Sequence, residues 1–507
     1  MDGRGRRSRR PPARRRPSPR GHTPTDNRAG TPTSRLASPP SPPHSGRRGV
    51  RAARPRGASV RERASGGASS YSSATVAGVQ PSRGGPCVRG RRLLDTALAP
   101  FRSPEARRLA LIFAVVYFAQ GMWGLPVQAI TLTLKERFGY TAGRVATLFS
   151  ITNTPWLVKP VYGLLSDGVP LFGRRRQSYF VLTSGLAALA GFALGSLDAH
   201  TPLVITALFT AMGLGLAFTD VLTDALMVEN GKRLRLTGGF QAVQWASIYA
   251  ASIAVGVAGG MLTEHHELRL AFFGAAVFPT LSFLMACVFI REPRVRREAG
   301  QFRRTWTAIR GSIRSRDLWV VAGFIVFWTF SPSLGTPLFY YQTDTLKFSQ
   351  QFIGTLFSLS AAGSVVGALA YGGLSRVLPL KWLLNAAIGL GVLSTLAYLS
   401  YATPISAVLI DTGAGCIGMV ATLAFLDLAA KASPKQAEGT FFALLMSVYN
   451  AGTQGSQIVG GWLYDSLGYA TLILISAAFT ALCWFIVPAV RVEQIEARAA
   501  REARAAD

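Results

Sequence analysis

The most prominent pattern along this chain is a series of apolar stretches, each about 20 residues long, that begins near Leu109 and continues almost to the C-terminus. An α-helix needs about 20 apolar residues to cross the roughly 30 Å hydrocarbon layer of a bilayer. Twelve stretches are present: Leu109–Leu134, Ala142–Leu165, Tyr179–Leu197, Leu203–Val228, Gly238–Leu262, Leu270–Ile290, Leu318–Tyr341, Phe352–Leu374, Trp382–Tyr401, Ile405–Leu428, Thr440–Leu463 and Ala470–Val490. The pattern therefore predicts an all-α membrane protein with twelve transmembrane helices.

A repeat divides the twelve spans into two sets of six. Thr201-Pro202 precedes span four and Thr403-Pro404 precedes span ten, and each pair is followed by an aspartate within the span, Asp224 or Asp427. A duplicated six-helix unit leaves such a near-constant offset, which is 202 residues for the Thr-Pro pairs and 203 for the aspartates. The longest polar gap also separates span six from span seven. We therefore expect two pseudo-symmetric six-helix bundles.

The expected domains follow from this division. They are an Arg/Pro/Ser-rich tail at 1–108, an N-terminal bundle at 109–290, a basic cytoplasmic linker at 291–317, a C-terminal bundle at 318–490 and a charged cytoplasmic tail at 491–507. The N-terminal tail holds 25 of the 54 basic residues but only five of the 25 acidic ones, with few large apolar residues. Such a composition predicts disorder. Its possible roles are a transit peptide, a polybasic arm on anionic lipid, or translated sequence upstream of the true start.

Charge also orients the chain. The short loops on the side of the N-terminus hold 19 Lys and Arg residues, whereas those on the other side hold four. The positive-inside rule then places both termini in the cytoplasm. A bacterial inner membrane is the expected location, with a plastid envelope as the alternative. The overall 49% hydrophobic and 16% charged composition excludes an ordinary soluble domain.

Charged residues inside the spans are the candidate functional groups, because each costs about 2.5–3.5 kcal/mol to insert at the centre of a membrane. Asp220 and Asp224 lie one turn apart on span four. Asp220 precedes Glu229 by nine residues and Lys159 precedes Asp167 by eight, which puts both about 12–13 Å inside the same membrane surface. We therefore expect Lys159 to face the two carboxylates across a central cavity; a purely structural ion pair is the alternative.

The loop after span two is a candidate gate. Its sequence is YGLLSDGVPLFGRRR, in which Gly163 and Gly173 permit a tight turn before an arginine cluster. Charge-assisted pairs in this loop would form on one side of the membrane and break when that side opens. The candidate gating residues are Asp167, Arg174, Arg175, Arg176 and Glu229. This loop resembles the conserved loop of the major facilitator superfamily.

Four longer segments resemble a narrower family. They are YFAQGMWGLP in span one, PWLVKPVYGLLSDGVPLFGRRRQSY across spans two and three, DVLTDALMVE in span four and EGTFFALLMSVYN at span eleven. Together they resemble the folate-biopterin transporter family over roughly 109–490. The resemblance implies a major facilitator fold and a proton-coupled carrier of pterins or folates in a bacterial or plastid membrane.

The residues are compatible with such a substrate. A carboxylate such as Asp220 or Asp224 can accept the two parallel N–H donors of a pterin edge, and two like charges on one helical face also suit proton uptake. A flat ring needs an aromatic wall, for which the candidates are Trp156, Trp245, Phe339, Tyr340 and Tyr341. The amides of Gln241 and Gln244 supply further donors and acceptors. Lys159 is the basic residue for an anionic tail. For the aromatic residues and the glutamines, ordinary helix packing is the alternative.

Other classes of function are disfavoured. No nucleotide-binding loop, catalytic triad or metal-ligand cluster is found in the sequence, so we expect a non-enzyme without cofactor or metal. Nucleic-acid binding is not expected, because the basic tail nearly lacks aromatic residues for base stacking. We expect a monomer in the lipid bilayer that binds a small molecule. Two alternatives stay open: a carrier of the same fold for another anionic or aromatic solute, such as a muropeptide permease, and a non-transporting protein that binds pigment or acts in assembly.

Overall fold

The structure, a computed structural model, describes residues 101, 103–290, 292, 307, 310, 316–432 and 438–504. The predictions for residues 1–100 and for most of the linker lie outside the described residues. Nearly all of the described backbone is helical. The first helix begins at Pro104, so the expectation of disorder up to residue 108 is wrong for its last few residues. The hydroxyl of Ser103 caps this helix by accepting the Ala106 backbone N–H at 3.1 Å.

The helices follow the predicted spans. Those of the first half are α1 (Pro104–Met122), α2 (Val127–Phe138), α3 (Ala142–Thr152), α4 (Lys159–Gly168), α5 (Gln177–Ser196), α6 (Pro202–Leu234), α7 (Thr237–Glu264) and α8 (Leu268–Phe289). Those of the second half are α9 (Arg316–Thr329), α10 (Gly335–Tyr340), α11 (Gln350–Leu374), α12 (Leu380–Ala397), α13 (Pro404–Ala432), α14 (Glu438–Leu467), α15 (Tyr469–Val490) and α16 (Val492–Arg504).

Within the described residues, nine helical segments are long and apolar enough to cross a membrane, and α1 with α2 counts as one of them. The other three predicted spans are two, seven and eleven. Span two is divided into α3 and α4 by a 3₁₀ segment at Thr154–Val158, and span seven is divided into α9 and α10. Prolines account for both breaks, because proline lacks an N–H and disfavours a helical residue before it. Span eleven is the continuous 30-residue helix α14.

The repeated Thr-Pro pairs start equivalent helices. The Thr201 hydroxyl accepts the backbone N–H of Val204 at 3.3 Å, and the Thr403 hydroxyl accepts that of Ser406 at 3.2 Å. Proline follows each threonine at the first helical position, where its missing N–H has no cost. The pairs therefore begin α6 and α13, the fourth span of each half.

Each half has its own apolar core. In the first half, α5 packs on α6 and α8, and α1 packs on α7, around the fully buried rings of Phe113 and Phe180. In the second half, α13 packs on α11 and α12, and the rings of Phe324 and Phe425 lie 5.4 Å apart in the core. The fold has two helical bundles, each formed by the six spans of one half. The residue limits 109–290 and 318–490 stay a prediction.

The halves meet along two helix pairs, α7 with α11 and α3 with α14. Glycines allow this close approach. A methyl group at Gly354 would overlap the backbone of Gly256 and Gly260, and one at Gly461 would lie 2.7 Å from the Cα of Gly143. The two surfaces thus touch through backbone, which fixes the width of the space left between the bundles.

Polar contacts also join the halves at one end. Asp465, near the end of α14, accepts the backbone N–H groups of Ala142 and Gly143 at 3.1 and 2.9 Å and so caps α3. Lys135 forms an ion pair with Asp344 at 2.6 Å. We call this the capped end of the molecule. The other end carries Arg174–Arg176, Lys232 and Lys381, and we call it the basic end.

Candidate functional site

Asp220 lies in the middle of α6 and is 3% exposed. The Lys159 ammonium contacts it, with 2.5 Å between Nζ and Oδ2. Lys159 is the first residue of α4, so the break in span two sets the height at which the amine enters the first half. The structure thus brings Lys159 and Asp220 into direct contact rather than across an open space.

Asp224, one turn farther along α6, has different partners. The Tyr117 hydroxyl on α1 donates to its Oδ1 at 2.5 Å, and the Gln244 side-chain amide on α7 donates to the same atom at 3.4 Å. Tyr117 is fully buried. Neutral donors therefore hold Asp224, whereas a cation holds Asp220. Together with Lys159, these residues form what we call the buried charge cluster: Tyr117, Lys159, Asp220, Asp224 and Gln244.

The sequence did not indicate Tyr117. It lies within the span-one segment YFAQGMWGLP, where it resembles an ordinary interfacial or packing aromatic residue. A buried tyrosine hydroxyl needs a hydrogen-bond partner, and a carboxylate in a neighbouring span is the natural acceptor. That requirement is a usable signal, but it does not tell which carboxylate is meant.

Aromatic rings cover one side of the cluster. The Lys159 ammonium lies 4.6 Å from the ring centroid of Trp156, a distance typical of a cation–π contact. The rings of Trp156 and Trp123 are 6.0 Å apart. The indole nitrogens of both tryptophans and the Gln120 side-chain oxygen are buried without a hydrogen-bond partner among the described residues. Such groups are uncommon in a native interior, and a group of three marks this region as unusual.

The second half reaches this region through α14. The Asn450 amide donates to the Trp156 carbonyl at 3.1 Å, and the Gln454 amide donates to the Asn153 carbonyl at 3.0 Å. These carbonyls belong to the broken part of span two, where the Asn153 carbonyl also accepts the Trp156 backbone N–H at 3.0 Å. Side chains of the second half thus satisfy backbone groups beside the cluster, and the two bundles are coupled at this depth.

A cavity of about 490 Å³ lies between the bundles. We call it the interbundle cavity; it is bounded mainly by Trp245 and Tyr249 of α7, Ser360 and Ser364 of α11, Thr422 of α13 and Tyr449 of α14. Among the described residues, none that lines it carries a charge. The buried charge cluster therefore lies outside the cavity wall, although Gln244 of the cluster immediately precedes Trp245.

The two predicted glutamines differ in environment. Gln244 contacts Asp224, as above. Gln241 is exposed, and its amide makes no hydrogen bond to a described residue. From the predicted set, the structure thus brings together Lys159, Asp220, Asp224, Gln244 and Trp156, and it leaves Gln241 apart.

Two of the candidate gating residues contact each other. Arg176 makes a two-point ion pair with Glu229, at 2.5 and 2.6 Å. The backbone N–H of Arg176 donates to Glu292 at 2.8 Å. Asp167 is half-buried in the last turn of α4, just before the loop.

The turn itself depends on one of the two predicted glycines. Gly173 has a φ of 76° and Phe172 has a φ of 52°, so two consecutive residues are left-handed. Glycine adopts this conformation without strain, and the neighbouring phenylalanine side chain is 88% exposed. Gly163 lies inside α4 and takes no part in the turn.

The chain matches proteins of known type. The model of the BT1 family matches residues 120–489. The folate-biopterin transporter of Synechocystis sp. is 32% identical over 397 residues, which cover 75% of this chain and 78% of that protein. The probable folate-biopterin transporter 4 of Arabidopsis thaliana is 25% identical over 451 residues, covering 74% and 92%.

Solved structures resemble the fold. The nucleoside transporter NupG superposes with a TM-score of 0.58 at 15% identity, covering 76% of this chain and 98% of that one. A D-xylose-proton symporter gives a TM-score of 0.59 at 12% identity, with the same coverage. At these identities, the likeness shows a shared architecture.

Proposed function

Because the chain belongs to the BT1 family, we propose that it is a secondary active transporter that moves folate, biopterin or a related pterin across a membrane. Relatives that bear the names of folate-biopterin transporters cover most of the chain. The observation that carries the proposal is the buried charge cluster, which lies at the depth where a carrier of this fold is expected to hold its solute.

In this proposal the two carboxylates have separate tasks. Asp220 stays paired with Lys159, so its charge is compensated within the protein. Among the residues that the structure describes, no cation lies within hydrogen-bonding distance of Asp224, and Tyr117 and Gln244 donate to it. Taking up a proton therefore removes a charge that no partner neutralises. Asp224 is the group that we assign to proton coupling.

The proposed cycle is alternating access. The two bundles rock about the glycine-lined contacts, and the site between them opens to one side at a time. The Asp465 cap and the Lys135–Asp344 pair must break when the capped end opens. At the basic end, Arg176 with Glu229, together with Asp167, Arg174 and Arg175, forms the second gate.

We further propose that the basic end faces the cytoplasm, with both termini on that side. The protein acts as a monomer. Its location is a bacterial inner membrane, with a plastid envelope as the alternative. Neither a metal nor a cofactor takes part in the proposed cycle.

Uptake into vesicles that contain the full-length protein tests the function. Labelled folate, biopterin and a muropeptide are offered in turn, with and without an imposed proton gradient. We expect gradient-dependent uptake of folate or biopterin. Uptake of the muropeptide alone would mean that the substrate is a muropeptide and not a pterin. Binding without flux would indicate a non-transporting protein.

A substitution tests the role of Asp224. A hydrogen-bonded charged group is worth about 1.5–3 kcal/mol, or about 10- to 100-fold. We expect Asp224→Asn to lower gradient-driven uptake by such a factor, whereas the equivalent Asp427→Asn in the second half retains it. Gradient dependence that persists in Asp224→Asn would remove this residue from proton coupling.

A further inference from the structure

The interbundle cavity differs from the buried charge cluster in chemistry. Its volume, about 490 Å³, falls within the range of about 300–1,000 Å³ that is typical of small-molecule pockets. Aromatic and hydroxyl side chains bound it, and no charge does among the described residues. A neutral flat molecule with polar edges matches such a lining, whereas a carboxylate does not.

The aromatic part of the lining provides a stacking surface. The rings of Trp245 and Tyr249, one helical turn apart on α7, are stacked with centroids 6.1 Å apart and an interplanar angle of 25°. Tyr449 of α14 contributes a third ring, from the other half of the molecule. Stacking on such rings favours a heteroaromatic system without requiring a charge.

The polar part of the lining has unused hydrogen-bonding capacity. The indole N–H of Trp245 and the hydroxyl of Ser360 make no hydrogen bond to a described residue. The Thr422 hydroxyl donates to the Gly418 carbonyl at 2.8 Å, and a hydroxyl oxygen can also accept a hydrogen bond. A ring with both ring nitrogens and exocyclic amino groups matches this mixture of donors and acceptors.

The carboxylates, by contrast, already accept hydrogen bonds. Lys159 contacts Asp220, and both Tyr117 and Gln244 donate to one oxygen of Asp224. A pterin edge would have to displace these donors in order to bind in bidentate fashion. The cavity needs no such exchange.

We propose that the interbundle cavity binds the uncharged heteroaromatic ring of the substrate, stacked on Trp245 and Tyr249 and hydrogen-bonded to Ser360 and Thr422. This inference rests on the proposed transport of pterins, and it assigns the ring to the cavity rather than to Asp220 or Asp224. The ring then contacts both bundles at once. Binding is thereby coupled to their relative position, as alternating access requires.

Binding of biopterin to the purified full-length protein tests the assignment, with p-aminobenzoylglutamate as the probe that lacks the ring. We expect biopterin to bind and p-aminobenzoylglutamate not to compete with it. Trp245→Leu should weaken biopterin binding by about tenfold, because one stacking surface is lost. Trp382→Leu is the matched control, since Trp382 lies on α12 and is 69% exposed; it should bind as the wild type does.

Two outcomes separate this inference from the proposed function. If the wild type binds biopterin and Trp245→Leu binds it equally well, the ring lies elsewhere while the function stands. If the wild type binds neither biopterin nor folate, the function itself is wrong. Should Trp245→Leu fail to fold, Thr422→Leu replaces it: the extra bulk and lost hydroxyl should weaken biopterin binding, and unchanged affinity would overturn the assignment.

Discussion

The fourth span of each half, α6 in the first and α13 in the second, starts with the same Thr-Pro pair. The carboxylates on these two helices nevertheless have different partners. On α6, Asp220 and Asp224 contact side chains from three other helices, α1, α4 and α7. On α13, Asp427 pairs at 2.9 Å with Lys431, one turn along the same helix, and accepts the Tyr371 hydroxyl at 3.1 Å. The ionic contact of α6 joins two membrane-spanning segments, whereas Asp427 pairs within α13, and its partner Lys431 also lies 3.5 Å from Glu496 on α16.

Asp411, the other carboxylate of α13, extends the contrast. It accepts the hydroxyls of Tyr398 and Tyr401 at 2.9 and 2.6 Å, and Gln342 donates to the Tyr401 oxygen at 2.6 Å. This network is buried and neutral apart from the carboxylate, and its tyrosines come from the short segment just before α13. It fixes a helix start and joins no cation among the described residues.

This difference indicates which half of the duplicated fold handles charge and protons. Ion pairs between helices change when helices move, whereas pairs within one helix do not. We therefore place proton and charge handling in the first half. The second half contributes neutral surfaces to the interbundle cavity and the amides of Asn450 and Gln454 that support span two.

The largest effect should come from breaking the Lys159–Asp220 pair. Removing one partner of a buried pair leaves an uncompensated charge and typically costs about 3–5 kcal/mol. We expect Lys159→Met to lower the free energy of unfolding in detergent by an amount in this range. The double variant Lys159→Met with Asp220→Leu should recover part of the loss.

The matched control is Lys135→Met at the capped end. Its partner Asp344 has a side chain that is 51% exposed, and exposed pairs contribute about 0–1 kcal/mol. Equal losses in Lys159→Met and Lys135→Met would mean that the pair of the first half is not energetically distinct.

A smaller effect should follow from removing the tyrosine hydroxyl that donates to Asp224 on α6 or the one that donates to Asp427 on α13. Tyr117→Phe leaves Asp224 with Gln244 alone, whereas Tyr371→Phe leaves Asp427 with Lys431. A hydrogen bond to a charged group contributes about 1.5–3 kcal/mol. We expect Tyr117→Phe to change how uptake depends on the imposed proton gradient.

Tyr371→Phe should leave that dependence as it is, because Asp427 keeps its cation. The measurement is uptake over a series of gradients for both variants. The same change of gradient dependence in both would place functional carboxylates in both halves, and a change in stability alone would make Tyr117 a structural residue.

The sequence was sufficient to predict the membrane-spanning segments and the depth of the charged residues within them. Apolar length predicts a membrane helix, and the fixed rise per residue predicts that Lys159 and Asp220 lie at the same height. The Thr-Pro pairs predicted the starts of α6 and α13 for a local reason, because capping depends only on adjacent residues.

The sequence did not predict contacts that depend on how each helix is rotated about its axis. Height does not tell which face of α1 meets α6, so Tyr117 was not foreseen as the partner of Asp224. For the same reason, Ser360 and Tyr449 were not predicted to line the cavity. Pro155 and Pro332 lie at the two helix breaks, but whether a break is tolerated depends on donors such as Asn450 that are remote in the chain.

The smallest effect should come from Lys431→Gln in the second half. Lys431 and Asp427 are about one third exposed, and Lys431 also lies 3.5 Å from Glu496; such partly exposed pairs contribute about 0–1 kcal/mol. We expect stability to fall by no more than this and uptake to stay within about twofold of the wild type. The measurement is uptake into vesicles by Lys431→Gln, compared with uptake by Lys159→Met. We expect Lys159→Met to abolish uptake. If Lys431→Gln abolished uptake, the charge of the second half would be as necessary as that of the first, and the division of labour between α6 and α13 would fail.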